Sequence, residues 1–541
     1  MSKIFEQLLK NRHFTTDFLH PKYDGSLDPF LLFSMDKAIS RIKKAIIKSE
    51  KILIYGDYDV DGVTASTVME QTLILANVNP DNIIIMLPDR FADGYGMSPK
   101  LITKAKEQGI TLVITVDCGS HNHTIIDELN TLGIDTIVTD HHETAETMPN
   151  AIAVINPHRK DYPTEELQNL AGVGVAFKVA QALTKQNLIK SGQEKWLLDL
   201  VLLGTICDSM TLIGENRIFG YYGIKVLSKT RRPGLAELMF RSGVKSINSE
   251  SIGFQIGPRL NAAGRLDTAY LALNLLRAKT PIDAAPLAEK LEVLNKKRKT
   301  EQIAATREIT QRGISDDPVI IETGNWHEGI LGIVAGRLVE QYMKPAFVLT
   351  DVGNNVFKGS GRSFGDFNLA DALNFTKDSI IGGGGHAGAA GVRVAGEKLY
   401  SFREQINEYY RSLHLTNQKE YLKQHADLEV TDFSELTLDL LTELKQLEPY
   451  GPGNEEPIFH LKNIQVTGLT RMGAERNHLR LDLRDKQGKY LKAIAFYAPE
   501  KWLQIDPEFD QIELLVKLSE NDFNGVKSVE ARIIDLRRID C

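Results

Sequence analysis

The chain has 541 residues, 42% hydrophobic and 25% charged, with a net charge of −7. That is too long for one hydrophobic core and predicts roughly two to four domains of ordinary globular composition. The charge excludes a uniformly basic nucleic-acid coat but not a local basic groove. No apolar run approaches the ~20 residues that span a bilayer, and Cys118, Cys207 and Cys541 have neither the number nor the spacing of a disulfide framework or metal knuckle.

Residues 1–48 read as a mostly helical, polar N-terminal segment, with Pro21 and Pro29 marking loops. The start, MSKIFEQLLKNRHF, has no secretory apolar core, so a reducing cytoplasm is the expected compartment. From 49 to 280 short apolar runs alternate with helical spacing. KILIYG (51–56), IIIMLP (83–88), TLVITVD (111–117), IDTIVTD (134–140) and AIAVINP (151–157) predict strands. Residues 62–77, 98–108, 122–131, 171–186 and 194–210 predict helices. Apolar strands separated by helices imply a parallel sheet covered on both faces, an open doubly wound α/β domain. Residues 281–312 predict one long polar helix with a basic middle, either an inter-domain connector or a surface helix with i,i+4 charge pairs. A second α/β unit follows at 313–412, containing GGGGHAGAAG (382–391). Residues 413–449 read as a helical linker, with a helix over 430–448. Residues 450–541 open on a Pro/Gly-rich boundary and continue as short alternating strands, the pattern of a small all-β barrel.

The first strand runs into GDYDVDG (56–62), where Asp57, Asp59 and Asp61 alternate. Carboxylates this close repel one another and call for a cation, and oxygen donors suit Mg²⁺ or Mn²⁺. Alone, the stretch also fits a solvated acidic turn or a weak calcium loop. The third strand ends on Asp117, and the fourth on Asp140-His141-His142. These tips share one edge of a parallel sheet, where ligand sites form. The apolar helix 194–210 carries the acid Asp208 out of pattern, costly unless satisfied. Asp59, Asp61, Asp117, His141 and Asp208 can thus hold two metal ions with one bridging carboxylate, the arrangement that catalyses in-line phosphoryl displacement.

GDYDVDG, VDCGS, DHH and GGGGHAGAAG occur in the order found in the DHH phosphoesterase superfamily, which the chain resembles. LPDRFADGYG (87–96), GPRLNAAGRLD (257–267), WHEGILGIVAGRL (326–338), KGSGRS (358–363) and YGPGNEEP (450–457) are similar to its single-strand-specific exonuclease branch. The resemblance implies a parallel-sheet DHH catalytic domain, a connecting helix, a second DHH-associated α/β domain and a C-terminal OB-like β-barrel. It implies that Asp59 serves one metal, that Asp61, His141 and Asp208 serve the other, and that Asp117 bridges them. His142 would face the scissile phosphate. Many members place a histidine ligand four residues before Asp59; here that residue is Tyr55, so a weak first-metal site is expected, with Asp57 or water compensating. Arg90, Ser360 and Arg362 would hold the terminal 5′ phosphate, consistent with bidentate phosphate binding by arginine, and Gly359 and Gly361 would let backbone approach the ligand. The glycine run with His386 is expected to be a flexible loop closing over the DNA backbone. Arg259, Asn261 and Arg265 are expected to contact substrate or support the site. Trp326 and His327 are either contact or core residues. The barrel would bind single strands through aromatics and a basic face. Its candidates are Tyr490, Phe496, Tyr497, Arg476, Arg480 and Lys492, with at least half of the aromatics expected in the core.

The implied activity is Mn²⁺- or Mg²⁺-dependent 5′→3′ degradation of single-stranded DNA to mononucleotides in recombination and in mismatch or excision repair. A monomer working with a single-strand-binding protein and a helicase is implied. The rivals are a small-molecule phosphodiesterase or pyrophosphatase of the same superfamily and a DNA-binding scaffold with a dead site. The barrel and KGSGRS weigh against the first, the complete aspartate and histidine set against the second.

Overall fold

A computed structural model describes residues 1–415, 425–473, 476–506 and 511–539. Cys541 and the middle of the predicted linker (416–424) lie outside them. Among the described residues no helix is long and apolar enough to cross a membrane.

Five strands, β1 (Ile52–Tyr55), β2 (Ile83–Met86), β3 (Leu112–Val116), β4 (Asp135–Thr139) and β5 (Ala153–Ile155), form a wholly parallel sheet in the order β2-β1-β3-β4-β5. Their β-branched, apolar side chains are buried on both faces. Ile52 and Ile54 point into the larger core under the helices Val60–Leu75 and Gly172–Lys185, and Leu53 and Tyr55 into the smaller one on the opposite face. The strand order reverses between β1 and β3, and ligands bind at such a switch point, outside the carboxyl ends of the strands.

The predicted polar helix is a single element, Pro281–Arg312, begun by the Thr280 side chain accepting from the Asp283 amide. Ala284, Ala288 and Leu291 join the larger core of the first unit, whereas Ala305 and Ile309 join the core of the second unit. It therefore connects the two. That second unit has a mixed sheet of β6 (Ile320–Gly324), β7 (Ala346–Asp351), β8 (Val356–Arg362), β9 (Gly382–Gly385) and β10 (Ala389–Ala395), ordered β6-β7-β8-β10-β9.

Two expectations are corrected here. The glycine run is not a loop: Gly382–Gly385 is the exposed edge strand β9, paired antiparallel with β10 through a tight turn at His386. The stretch 430–448 is not one helix. It divides into β11 (Leu428–Val430), a 3₁₀ turn at Phe433–Glu435, a short helix Leu438–Leu444 and a second 3₁₀ turn, with Asp432 and Thr437 capping two of the starts.

The strands β12 (Phe459–Met472), β13 (His478–Arg484), β14 (Tyr490–Ala495), β15 (Gln511–Phe523) and β16 (Val526–Ile539) close into a five-stranded barrel through the β12–β15 pairing. The N-terminal segment is split between bodies. Ile4, Phe5, Leu8 and Leu9 of the helix Lys3–Asn11 pack into the barrel core, while Met35, Ala38 and Ile42 pack into the larger core of the first unit.

Candidate metal centre and phosphate pocket

The carboxyl ends of β1, β3 and β4 bring the predicted acids and imidazoles together. Donor atoms of Asp61, His141 and Asp208 lie within 4.8 Å of one another, as do those of Asp57, Asp59 and Asp117, and of Asp117, His141 and His142. His141 Nε2 is 3.7 Å from carboxylate oxygens of both Asp61 and Asp208, and 3.1 Å from Asp117 Oδ1. The last approach lacks hydrogen-bond alignment. Asp117 Oδ1 and Asp57 Oδ1 are both buried without a hydrogen-bond partner among the described residues.

Local structure fixes each group. Asp59 caps the helix Val60–Leu75 by accepting from the Gly62 amide, and the Asn261 side chain accepts from the Val60 amide. Asp61 is in the first turn of that helix, and both its oxygens accept backbone N–H groups, 2.7 Å from Gly172 and 2.9 Å from Val173. Those amides are the free donors at the start of the helix Gly172–Lys185, whose dipole favours the carboxylate. Asp117 has φ 61°, a left-handed backbone that Asp tolerates better than most residues. Asp140 is buried and accepts from the amides of Ser120 and His141 and from His142 Nδ1 at 2.9 Å. The Leu170 backbone accepts from the His141 ring, leaving Nε2 turned toward the acids. Asp208 ends the helix Leu198–Cys207 as its C-cap.

The electrostatics follow from burial and crowding. Burial, then the charge of Asp59, pushes Asp61 up to about 7. Burial, then Asp61 and Asp59, pushes Asp208 up to about 8. Asp117 and Asp57 are raised well above the carboxylate range by burial and then by their acidic neighbours. Burial and the charge of His142 lower His141 to about 3, so its imidazole is neutral and ready to ligate. Burial would also lower His142, but the hydrogen bond and charge of Asp140 outweigh it and raise it to about 9. Burial would raise Asp140, yet the same His142 contact holds it below its usual range. The two form a charged pair at the rim of the acid cluster. An oxygen-rich donor set with one neutral imidazole fits hard divalent ions.

Tyr55 is not in this site. Its side chain is fully buried on the opposite face of the sheet, donating to Gly96 O and accepting from the Ser98 amide. Asp57 is the group that completes the first donor set. Sequence reasoning also passed over Tyr95, whose hydroxyl lies 2.9 Å from His142 Nδ1, and over the Gly172 and Val173 amides. The helix-start pattern AGVG was the available signal for the latter.

Arg90, Arg265 and Arg362 converge beside the acids. The Arg90 guanidinium stacks over Tyr58, 4.9 Å from the ring centroid, between Asp57 and Asp59 in sequence. Burial, then Arg90, Arg362 and Arg298, lowers Arg265 to about 9, and burial and Arg90 lower Arg362. None of Arg90, Arg265 and Arg362 has a carboxylate within ion-pair distance among the described residues. Like charges gathered without counterions mark a place for an anion. Ser360 and Arg362 alternate with Gly359 and Gly361 along β8. The glycines face inward, where a Cβ would come within 2.5 Å of Leu349 and 2.6 Å of Phe347. They admit core side chains, not ligand, which corrects the expected reason for them. The His386 pKa is lowered by burial, then by Arg362 and His142, so the β9–β10 turn faces the same cleft.

The remaining candidates have these surroundings. Arg259 pairs with Glu292 of the connector helix at 2.5 Å and donates to Gln255 O, a structural tie. Trp326 is core, with its indole N–H on Glu308, whereas the His327 ring meets Phe91 edge-on. On the barrel, Tyr490, Phe496 and Tyr497 are 68%, 61% and 77% exposed. None of the three is core, contrary to the expectation for half of them. Phe496 and Tyr497 both meet His478 edge-on.

The DHH family N-terminal domain matches residues 51–205, the DHHA1 domain residues 316–412, and the RecJ OB domain residues 426–535. The single-stranded-DNA-specific exonuclease RecJ of Bacillus subtilis is 35% identical over 552 residues, covering 99% of this chain and 68% of that protein. The structure of RecJ from Thermus thermophilus in complex with Mn²⁺ superimposes with a TM-score of 0.85 at 27% identity, covering 100% of this chain and 76% of the other. Its complex with Mg²⁺ gives a TM-score of 0.79 at 25% identity, with coverages of 100% and 75%.

Proposed function

The chain belongs to the RecJ family of DHH phosphoesterases, and we propose that its carboxylate–histidine cluster hydrolyses single-stranded DNA from a 5′ end, releasing mononucleotides. One observation carries this reading: two donor sets for divalent cations share the mouth of a cleft with three arginines that have no carboxylate partner among the described residues. A dianionic terminal phosphate suits the arginines, and the first phosphodiester then falls at the acids.

Asp61, His141 and Asp208 would hold one Mn²⁺ or Mg²⁺, and Asp57, Asp59 and Asp117 the other. When bound, the ions supply charge stabilisation to the phosphoryl and departing oxygens. Arg90, Arg362 and Ser360 fix the 5′ phosphate and so the register of cleavage. Asp140 holds His142 charged and oriented, and His142 donates to the phosphoryl oxygen as negative charge develops. Asn261, through the Val60 amide, keeps Asp59 and Asp61 at the helix start. The expected division into an N-terminal segment (1–48), catalytic domain (49–280), connector (281–312), second α/β domain (313–412), linker (413–449) and barrel (450–541) supports a strand path from cleft to barrel. We read the chain as a cytoplasmic monomer in DNA recombination and repair, supplied with single strands by a helicase and a single-strand-binding protein.

The test is incubation with Mn²⁺ and, in parallel, end-labelled single strands, blunt duplex and pyrophosphate. Mononucleotides from the 5′ end of the single strand are expected. Turnover of pyrophosphate alone, or of nothing, overturns the reading.

A further inference from the structure

A cavity of about 680 Å³ opens beside the acid cluster at Arg265 and Asn261 and is bounded by Phe254, Ile333 and Arg298. Past the same residues a second groove of about 740 Å³ continues outward between the connector helix and the helix Leu331–Tyr342. Its charged lining is Arg298, Lys299, Arg307 and Arg337, with no acidic side chain among the lining residues, in a chain of net charge −7. Arg298 is only 8% exposed. Among the described residues its guanidinium meets only the neutral amides of Asn295 and Gln302, and burial, then Arg337 and Arg259, lowers its pKa. Lys299 and Arg307 have no carboxylate within ion-pair distance among the described residues, and Arg337 pairs only with exposed Glu340. A solvated helix face would pair such charges at i,i+4, as Arg312 does with Glu308. On this helix Glu301 and Glu308 pair that way with Lys297 and Arg312, but the groove-lining Lys299 and Arg307 have no such partner among the described residues. Between Arg298 and Gln311 the groove follows about 20 Å of helix. Phe254, 74% exposed, stands where the two spaces meet, on the π-helical turn Ile252–Ile256, an irregularity frequent at functional sites.

We propose that the groove between the connector helix and the helix Leu331–Tyr342 is a binding track for the phosphate backbone of single-stranded DNA, separate from the barrel, with Phe254 as a stacking platform for a base at its entrance. This rests on the single-strand exonuclease reading and adds a site to it. Arginine and lysine neutralise phosphates, and an exposed aromatic accepts any base, so the track is sequence-tolerant.

The test uses the full chain without added metal. Anisotropy reports binding of labelled single strands of about 6 and about 30 nucleotides across a salt series, for wild type and for Lys299→Glu/Arg307→Glu/Arg337→Glu. These side chains are on the surface, and circular dichroism checks the fold. The long strand should lose at least about tenfold in affinity, and its logarithmic salt slope should shrink by about 2, near 0.7 per phosphate contact removed. Phe254→Ala should weaken the long strand with an unchanged salt slope. Unchanged affinity and slope in the triple variant overturn the proposal. So does a loss confined to a duplex probe or to a polyglutamate peptide, which would make the groove a duplex rest or a protein dock. Single-strand cleavage by wild type with Mn²⁺, run alongside, separates the two failures: cleavage with an unaffected triple variant sinks the track alone, and no cleavage sinks the exonuclease reading.

Discussion

At the scale of single residues, the acids and imidazoles were legible because their cost is visible in a sequence. Asp57, Asp59 and Asp61 repel one another, and Asp208 interrupts an apolar helix, so each needs a partner. What was not legible is orientation. Tyr55 occupies the position expected of a ligand, yet the period-2 alternation of β1 turns it to the other face, where Gly96 and Ser98 satisfy its hydroxyl. Tyr95 sits in a loop with no periodicity to place it beside His142. The crowded carboxylates carry a pH consequence for the metal-free chain. Asp61 near 7 and Asp208 near 8 stand above their unfolded values of about 4. The folded state therefore binds more protons than the unfolded one between about pH 4 and 8, so its stability falls as pH rises through that window. Melting temperatures in EDTA should drop from pH 5 to pH 8, and Mn²⁺ should restore them most at the high end. A metal-free melting temperature that rises with pH would contradict this.

At the scale of elements, apolar runs predicted the five strands of the first sheet, and polar spacing predicted the connector helix with its observed limits. The failures have local causes. Residues 430–448 contain two capping side chains, Asp432 and Thr437, that start new turns and so divide the stretch. Four consecutive glycines carry no pattern at all, and β9 exists because β10 supplies its hydrogen bonds. One element carries more of the site than its sequence suggests. The helix Gly172–Lys185 begins against Asp61 and Asp117, and a Cβ on Gly172 would lie 2.5 Å from that of Asp117. Gly172→Ala should push the helix start away from both acids and cost about 1–3 kcal/mol as overpacking. Its Mn²⁺ affinity, measured by titration calorimetry, should fall further than this stability loss alone would cause. A variant with wild-type Mn²⁺ affinity would show that these amides do not position Asp61.

At the scale of the whole molecule, sequence order hid how the bodies are joined. The N-terminal helix completes the barrel core from over 400 residues away, a contact no local pattern encodes. Between the catalytic domain and the segment that leads into the barrel, Arg217 is one tie, beside the Leu212 amide that donates to Pro452 O. Its buried guanidinium donates to four carbonyl oxygens, those of Phe18, Gln446, Leu447 and Glu448, and it lies at the carboxyl end of a 3₁₀ turn, where a cation is favoured. Arg217→Ala orphans these buried and half-buried acceptors and should cost roughly 3 kcal/mol. Calorimetry should then show the barrel melting apart from the catalytic domain. A single transition at an unchanged temperature would remove Arg217 from the joint. The same geometry makes the cleft, the connector groove and the barrel faces of one body, and the central claim is that the acid cluster in that cleft cuts the strand. The most direct measurement of that claim is single-turnover cleavage of a 5′-phosphorylated single strand in Mn²⁺ by wild type and by Asp117→Asn, with strand binding measured in parallel. Asn tolerates the left-handed backbone of residue 117 but cannot supply its charge. The account predicts mononucleotide release by wild type and none by the variant, at similar strand affinity; release by Asp117→Asn at the wild-type rate would contradict it.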